Sequence, residues 1–152
     1  HTFAAMVPIS ALRGEGIPNL LNELVRYLPE GPQYYPEDMP TDASERFIAG
    51  EIIRESVFLN VREEVPYSVA VVIDRFNEET RPVHIQATIL VERSSQKGIL
   101  IGKGGSMLTR IRQRATTEIS KTLDRPVRVE LWVKVSKNWT EKKDLLKELG
   151  LA

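Results

Sequence analysis

The sequence of 152 residues contains no cysteine and only two histidines, His1 and His84. Without cysteine there are no disulfides, no cysteine-bound zinc and no thiol catalysis, which fits a reducing cytoplasm. Two histidines are too few for a histidine-built metal site, so we expect no metal ligands. No apolar run approaches the roughly 20 residues that span a membrane. The Asp and Glu residues show no spacing typical of acid–base catalysis, so we expect no catalytic residues.

The net charge is zero, but the charges are unevenly distributed. Residues 1–92 hold 7 Lys/Arg and 15 Asp/Glu, whereas residues 93–143 hold 13 Lys/Arg and 4 Asp/Glu, a net charge of +9. A basic segment beside an acidic half predicts one basic face that binds a polyanion. A solvated lysine-rich surface would have the same composition, so charge alone leaves both readings open.

The chain divides into three segments by composition. In residues 1–28 a strand ending at Ile9 is followed by an amphipathic helix, and such a pair cannot bury its apolar surface alone. We therefore interpret this segment as the end of a domain, in a chain that starts with His1 and belongs to a longer protein. Residues 29–41 hold four prolines and a glycine, a composition typical of a linker. Residues 42–152 form the second predicted domain.

The second domain is predicted to have the order α-β-β-α-α-β, followed by a C-terminal helix. The predicted elements are a helix over 42–60, strands over 67–74 and 83–91, helices over 94–101 and 106–123, a strand over 127–135 and a last helix from Thr140. Ser106 is the expected cap of its helix. Helices would cover one face of a three-stranded sheet, so the predicted fold class is α+β.

The segment Gly102-Lys103-Gly104-Gly105 interrupts two helical patterns. Glycine costs about 1 kcal/mol per residue in a helix, so three in four positions need a reason. Glycine tolerates positive φ and lets another backbone approach. The segment also precedes a helix N-terminus, where free N–H groups favour phosphate, and Lys103 adds a cation. These features are typical of the GXXG loop, by which KH modules clamp roughly four nucleotides of a single strand.

Three other kinds of structure also contain a glycine loop of this sort. A phosphate-binding P-loop needs glycine and then Ser or Thr where this sequence has Lys97 and Gly104, so that reading fails. A helix-turn-helix that reads DNA does not need three glycines, and the flanking strands do not suit it. A plain helix–helix turn is disfavoured by the element order and by the surrounding charge. The last two readings are less favoured but remain open.

Basic and apolar side chains near the loop are candidates for RNA contact. Arg110, Arg114 and Lys121 lie within about 40° of one another on one helix face. The candidate RNA-binding residues are Gly102, Lys103, Gly104, Gly105, Lys97, Arg93, Leu100, Ile101, Arg110, Arg114 and Lys121, with Ile89 and Val91 beneath the bases. Trp132 either stacks on a base or closes a second small core with Trp139 or the last helix.

Several separate blocks of sequence resemble the C-terminal KH domain of the Era-type GTPases, a family of bacterial ribosome-assembly factors. The blocks are Glu51-Ile52-Ile53-Arg54-Glu55, Glu64-Val65-Pro66-Tyr67-Ser68-Val69, Leu90-Val91-Glu92-Arg93, Gln96-Lys97, Ile101-Gly102-Lys103-Gly104-Gly105 and Leu131-Trp132-Val133-Lys134-Val135. The resemblance runs from about residue 37 to the end and implies the type II KH topology. Ser10-Ala11-Leu12 resembles the last guanine-contacting motif of a Ras-like α/β GTPase domain, which implies that residues 1–28 are the end of that domain.

The resemblance implies a parent protein with a GTPase domain ahead of the KH domain. Such a protein would bind the 3′ end of 16S ribosomal RNA, assist maturation of the small ribosomal subunit and act in the cytoplasm as a monomer, without binding DNA. A peripheral association of the parent with the inner membrane face is left open. This chain lacks the P-loop, the switch segments and the Asn-Lys-x-Asp motif, so GTP and Mg²⁺ are expected only in the parent. The alternative is a KH module that docks proteins, with incidental RNA binding.

Overall fold

The computed structural model describes residues 1–32, 43–61, 68–141 and 146–147. The chain forms two compact units, His1–Thr41 and Asp42–Ala152. The second unit begins at the residue where the sequence predicts the second domain.

Within residues 1–32, the first unit contains one helix, α1 (Ile17–Val25), with a proline in its first turn. Gly16 precedes it with φ of 72°, and a Cβ there would lie 2.3 Å from the carbonyl oxygen of Pro8. None of residues 1–32 is buried. The strand predicted to end at Ile9 is wrong for the described residues, because no described segment pairs with it and only an isolated bridge joins Ser10 to Glu15.

The second unit confirms the predicted α-β-β-α-α-β order. Its elements are α2 (Glu45–Asn60), β1 (Ala70–Asn77), β2 (Val83–Val91), α3 (Ser94–Ile101), α4 (Ser106–Thr122) and β3 (Val127–Val135), with 3₁₀ turns at Lys103–Gly105 and Trp139–Glu141. The sheet order is β1-β2-β3, with β1 antiparallel to β2 and β2 parallel to β3. A parallel pair needs a crossover, and here α3, the glycine loop and α4 provide it.

Helices α2, α3 and α4 cover one face of the sheet. The core between them contains the fully buried side chains of Ile53, Val57, Ile85, Ile89, Val91, Leu100, Ile111 and Ile119. Each such side chain contributes roughly 1.5–3 kcal/mol by leaving water. Alternate residues of β2 point into this core, which confirms the period-2 prediction for that strand. Both α3 and α4 pack against β3, so the loop between them is held above one edge of the sheet.

A second, smaller cluster lies on the opposite face of the sheet. It consists of Ala70, Leu90 and Trp139, with Val72 and Leu146 packed against them. The indole N–H of Trp139 donates to the carbonyl oxygen of Ser68 at 3.1 Å. Trp132 is 48% exposed and is not a buried member of this cluster, so the predicted second core exists but forms around Trp139. Most of the predicted last helix lies outside the described residues.

Candidate nucleic-acid interface

Each of the three glycines of the loop has a positive φ angle: 70° at Gly102, 59° at Gly104 and 79° at Gly105. A Cβ on Gly102 would lie 2.8 Å from the Cβ of Met107 and 3.0 Å from its nitrogen, so the chain packs closely there. A Cβ on Gly104 would meet no atom within 4 Å. The loop therefore has a tightly packed inner side and an open outer side that another backbone can approach.

The loop joins α3 to α4 through backbone hydrogen bonds. The Gly102 amide donates to Gly98 at 2.9 Å and ends α3, and the Gly105 amide donates to Gly102 at 3.2 Å. Helix α4 begins at Ser106 with Gly105 as its N-cap and without a side-chain cap. The predicted Ser106 cap is therefore wrong, because Ser106 is already inside the helix. A first turn without a side-chain acceptor favours an external anion such as a phosphate.

Six of the candidate RNA-binding residues are cations that lie in the glycine loop, on α4, or on or beside α3. Lys103, Arg93 and the three α4 cations are exposed, and Lys97 is half-buried. The α4 cations are Arg110, Arg114 and Lys121. Within the described ranges, none of the six forms an ion pair. Their charge is therefore available to a polyanion.

The apolar part of the predicted site needs a correction. Leu100 is 0% exposed, as are Ile89 and Val91, because all three pack in the core beneath the helices. The prediction that these side chains lie under the bases is wrong for this conformation. Ile101 is only partly buried, and its neighbour Ile99 is 48% exposed. Ile99 and Ile101 are thus accessible apolar side chains beside the loop.

Gln96 is a residue whose role the sequence analysis missed. Its side chain is buried, with 7% exposure. Its Oε1 accepts from the amides of Glu92 and Arg93, both at 3.0 Å, and its Nε2 donates to the Oγ of Ser68 at 2.7 Å. A glutamine three residues after the N-cap is the second half of a capping box, and that spacing was the available signal.

The face of the sheet that the helices do not cover, here called the outer face, carries a polar network centred on Glu130. Gln86 donates to its carboxylate at 3.1 Å, and His84 and Arg128 lie at 3.2 and 3.0 Å. The hydrogen bond from Gln86, with the contacts from His84 and Arg128, holds the pKa of Glu130 below its ordinary value. The carboxylate of Glu130 thus contacts Gln86, His84 and Arg128, and this arrangement does not resemble a catalytic site with a nucleophile beside its base.

The described residues contain neither a metal site nor a membrane-spanning helix. No group of His, Asp and Glu side chains there has the arrangement of a metal site. Among the helices of that part, none is long and apolar enough to cross a bilayer. Ser10-Ala11-Leu12 forms a turn in the first unit, where the amide of Arg13 donates to Ser10, and Leu12 is 96% exposed.

Comparison with known proteins places these features in a family. The KH domain family matches residues 64–140. The chain is 54% identical over 152 residues to GTPase Era of Syntrophus aciditrophicus (strain SB), covering 99% of this chain and 50% of that protein. The chain thus spans about half the length of this relative.

Solved structures agree with the sequence match. A variant of Aquifex aeolicus Era bound to GDP and aluminium fluoride aligns with a TM-score of 0.88 and 41% identity, over 98% of this chain and 50% of that one. Era in complex with MgGDPNP and nucleotides 1506–1542 of 16S ribosomal RNA aligns with a TM-score of 0.89 and 41% identity, at the same coverage. The α-β-β-α-α-β order with a parallel β2–β3 pair confirms the predicted type II topology. The chain therefore belongs to the KH domain family.

Proposed function

We propose that this chain binds single-stranded RNA as the RNA-binding part of an Era-type GTPase. The observation that carries the proposal is the glycine loop, which is open on its outer side, precedes an uncapped helix N-terminus and carries Lys103, while five further cations on or beside α3 and α4 form no ion pair within the described residues. Each feature favours a phosphate backbone, and together they match the clamp by which KH modules hold a single strand.

In this proposal the protein holds the RNA backbone and breaks no bond. Gly102 to Gly105 let the strand approach the main chain, and Lys103 contacts a phosphate at the tip. The other phosphate contacts are Arg93, Lys97, Arg110, Arg114 and Lys121. Phosphate contacts position a strand without reading its sequence. Ile99 and Ile101 supply the apolar surface against which bases rest.

The proposed target is the 3′ end of 16S ribosomal RNA, in maturation of the small ribosomal subunit. The similarity to Era supports it, since one aligned Era structure contains nucleotides 1506–1542 of that RNA. The parent would be a cytoplasmic, monomeric GTPase whose GTP and Mg²⁺ bind outside this chain. Of the nucleotide-contacting motifs, this chain has only the exposed turn at Ser10-Ala11-Leu12, so we expect it neither to bind nor to hydrolyse GTP by itself.

The test is a binding titration with a fluorescently labelled single-stranded RNA of the 16S 3′ sequence. The double variant Lys103→Asp/Gly104→Asp should lose at least about tenfold in affinity, because it replaces a cation and an open position with two anions. Circular dichroism should show that the variant stays folded, since a Cβ on Gly104 meets no neighbour.

The first unit offers a matched control, Arg13→Asp/Gly14→Asp. It makes the same charge change at a cation followed by a glycine with φ of 70° and no atom within 4 Å of its Cβ. This control should bind RNA as the unmodified chain does. Equal affinity of the loop variant and the control would overturn the clamp assignment. Absence of RNA binding by the unmodified chain would instead favour the protein-docking alternative.

A further inference from the structure

The side chain of Gln96 joins three places in the second unit. Its Oε1 accepts from the last residues before α3, Glu92 and Arg93, and its Nε2 donates to Ser68, which precedes β1. The contact with Ser68 bridges segments that are 28 residues apart in sequence. A buried amide with hydrogen bonds on both of its ends is fixed in one orientation.

Helix α3 depends on this side chain more than a longer helix would. It has 8 residues and no acidic residue in its first turn. A helix of two turns is marginal alone, so its direction is set by its anchors. The anchors in the core are Leu100, which is fully buried near the C-terminal end, and Gln96 near the N-terminal end. If the first-turn anchor is released, the helix can tilt about Leu100.

The functional groups of the proposed clamp lie on the element that Gln96 anchors. Arg93 precedes α3, Lys97 follows Gln96 directly, and Gly102 ends the helix through its bond to Gly98. Gly102 also packs against Met107 at the start of α4, so a tilt of α3 would change the relation between the loop and the α4 N-terminus.

Ser68 connects the same anchor to the opposite face of the sheet. Its hydroxyl accepts from Gln96, and its carbonyl oxygen accepts from the indole of Trp139 at 3.1 Å. Trp139 is 5% exposed in the small outer cluster. Ser68 is thus held from both sides, which makes it a fixed reference point for the first turn of α3.

We propose that Gln96 is a positioning residue of the RNA clamp. It does not touch RNA but fixes the orientation of α3, and through α3 it fixes Arg93, Lys97 and the glycine loop. This inference rests on the proposed function and adds to it a buried residue outside the GXXG loop.

The test compares three variants in the full chain. Gln96→Met keeps the length of the side chain and loses all of its hydrogen bonds. Gln96→Glu keeps the oxygen that accepts from the Glu92 and Arg93 amides and should restore much of what Gln96→Met loses. Gln86→Met is the matched control, because it removes an amide that donates to Glu130 on the outer face.

The first readout is RNA affinity, measured at a temperature where circular dichroism shows each variant to be folded. We expect Gln96→Met to weaken RNA binding about tenfold. The lost buried hydrogen bonds no longer hold the clamp in its binding conformation, so RNA binding has to restore that order. Its salt slope should also fall by roughly 0.7 for each phosphate contact that α3 no longer makes. A merely structural role would leave the affinity of the folded fraction and the salt slope unchanged, and that result would overturn the proposal.

The second readout is amide hydrogen exchange of the loop residues 102–107 without RNA. Gln96→Met should speed their exchange, whereas Gln86→Met should not. If the unmodified chain fails to bind RNA, the proposed function is wrong while the exchange data still decide whether Gln96 orders the loop. If Gln96→Met does not fold, Ser68→Ala removes the hydroxyl that accepts from the Nε2 of Gln96, keeps the two hydrogen bonds of Oε1, and should give smaller changes of the same sign. Unchanged binding and exchange in Ser68→Ala would then overturn the proposal.

Discussion

Gly102 and Gly104 both have positive φ, but they have different steric surroundings. The space beside Gly102 is filled by the backbone and Cβ of Met107, whereas the space beside Gly104 is open. A side chain at Gly104 therefore meets only the intrinsic strain of a left-handed backbone, while one at Gly102 meets strain and a collision.

We predict that Gly102→Ala destabilises the protein more than Gly104→Ala. Gly104 has φ of 59° and ψ of 24°, a left-handed helical conformation that costs an alanine roughly 1–2 kcal/mol. Gly102 has φ of 70° and ψ of 176°, a conformation that essentially only glycine adopts and that costs other residues roughly 1–3 kcal/mol. At Gly102 the contact with Met107 should add about 1–3 kcal/mol, the usual cost of overpacking. Urea denaturation measures both free energies of unfolding, and equal values would contradict the close packing inferred at Gly102.

The network around Glu130 predicts how stability changes with pH. Its folded-state pKa is lowered from 4.5, so the stabilisation is fully present above that value and is lost as pH falls below it. The unmodified chain should therefore be more stable than Glu130→Gln at about pH 6, and the difference should shrink towards about pH 3.

Thermal denaturation of both proteins across that pH range measures the effect. Gln86→Ala removes the hydrogen bond that contributes most to the lowered pKa of Glu130. In the Gln86→Ala background, Glu130→Gln should therefore cost less stability at about pH 6 than it does in the unmodified chain. A difference between the unmodified chain and Glu130→Gln that stays constant with pH would show that the carboxylate is not coupled to its neighbours.

At the level of elements, α4 presents two kinds of exposed arginine. Arg110 and Arg114 lie on one side of the helix, and Arg112 lies about 160° away from Arg110 at 3.6 residues per turn. All three are exposed. The proposed RNA path follows the side that also carries Lys121.

We predict that Arg110→Ala and Arg114→Ala each reduce the salt slope of RNA binding by roughly 0.7, since each removes one phosphate contact on a single strand. Arg112→Ala makes the same chemical change and should alter the slope less. Binding titrations at several salt concentrations give the slopes. Equal slopes in the three variants would mean that RNA senses only the total charge of the helix.

Much of the second unit could be predicted from sequence because its elements have clear periods. The alternation from Val83 to Val91 and from Val127 to Val135 gave the strand bounds, and the glycine loop separated the two helices. The burial of Leu100 could not be predicted, because three consecutive apolar residues in a short helix do not show which one faces the core. Gln96 was missed because its partner Ser68 is 28 residues away.

The sequence predicted structure less well where a segment has to pair or pack with a partner that its own residue pattern does not reveal. The apolar residues before Ile9 suggested a strand, but a strand needs a neighbour to pair with, and no described segment pairs with them. For Trp132, the sequence gave two alternatives, and the structure places Trp139 in the small core instead. Stacking of a base on Trp132 stays a prediction.

At the scale of the whole molecule, the division into two units predicts that the second unit folds without the first. No residue of 1–32 is buried, and the core of the second unit begins at Ala49. A chain of residues 42–152 should therefore fold with a melting temperature within a few degrees of the full chain, because it keeps the entire core. It should also keep the RNA affinity, which fluorescence titration measures. A large fall in either quantity would show that residues 1–41 support the second unit.

The parallel pairing of β2 with β3 also orders events during synthesis of the protein. Residues 92–126, which contain the whole clamp, leave the ribosome before β3, yet α3 and α4 pack on β3. Chains emerge N-terminus first, and distant strand pairs form late in folding. The clamp therefore lacks its contacts with β3 until residue 135 has been made, so we expect a nascent chain that stops before β3 to hold RNA less firmly than one that contains β3.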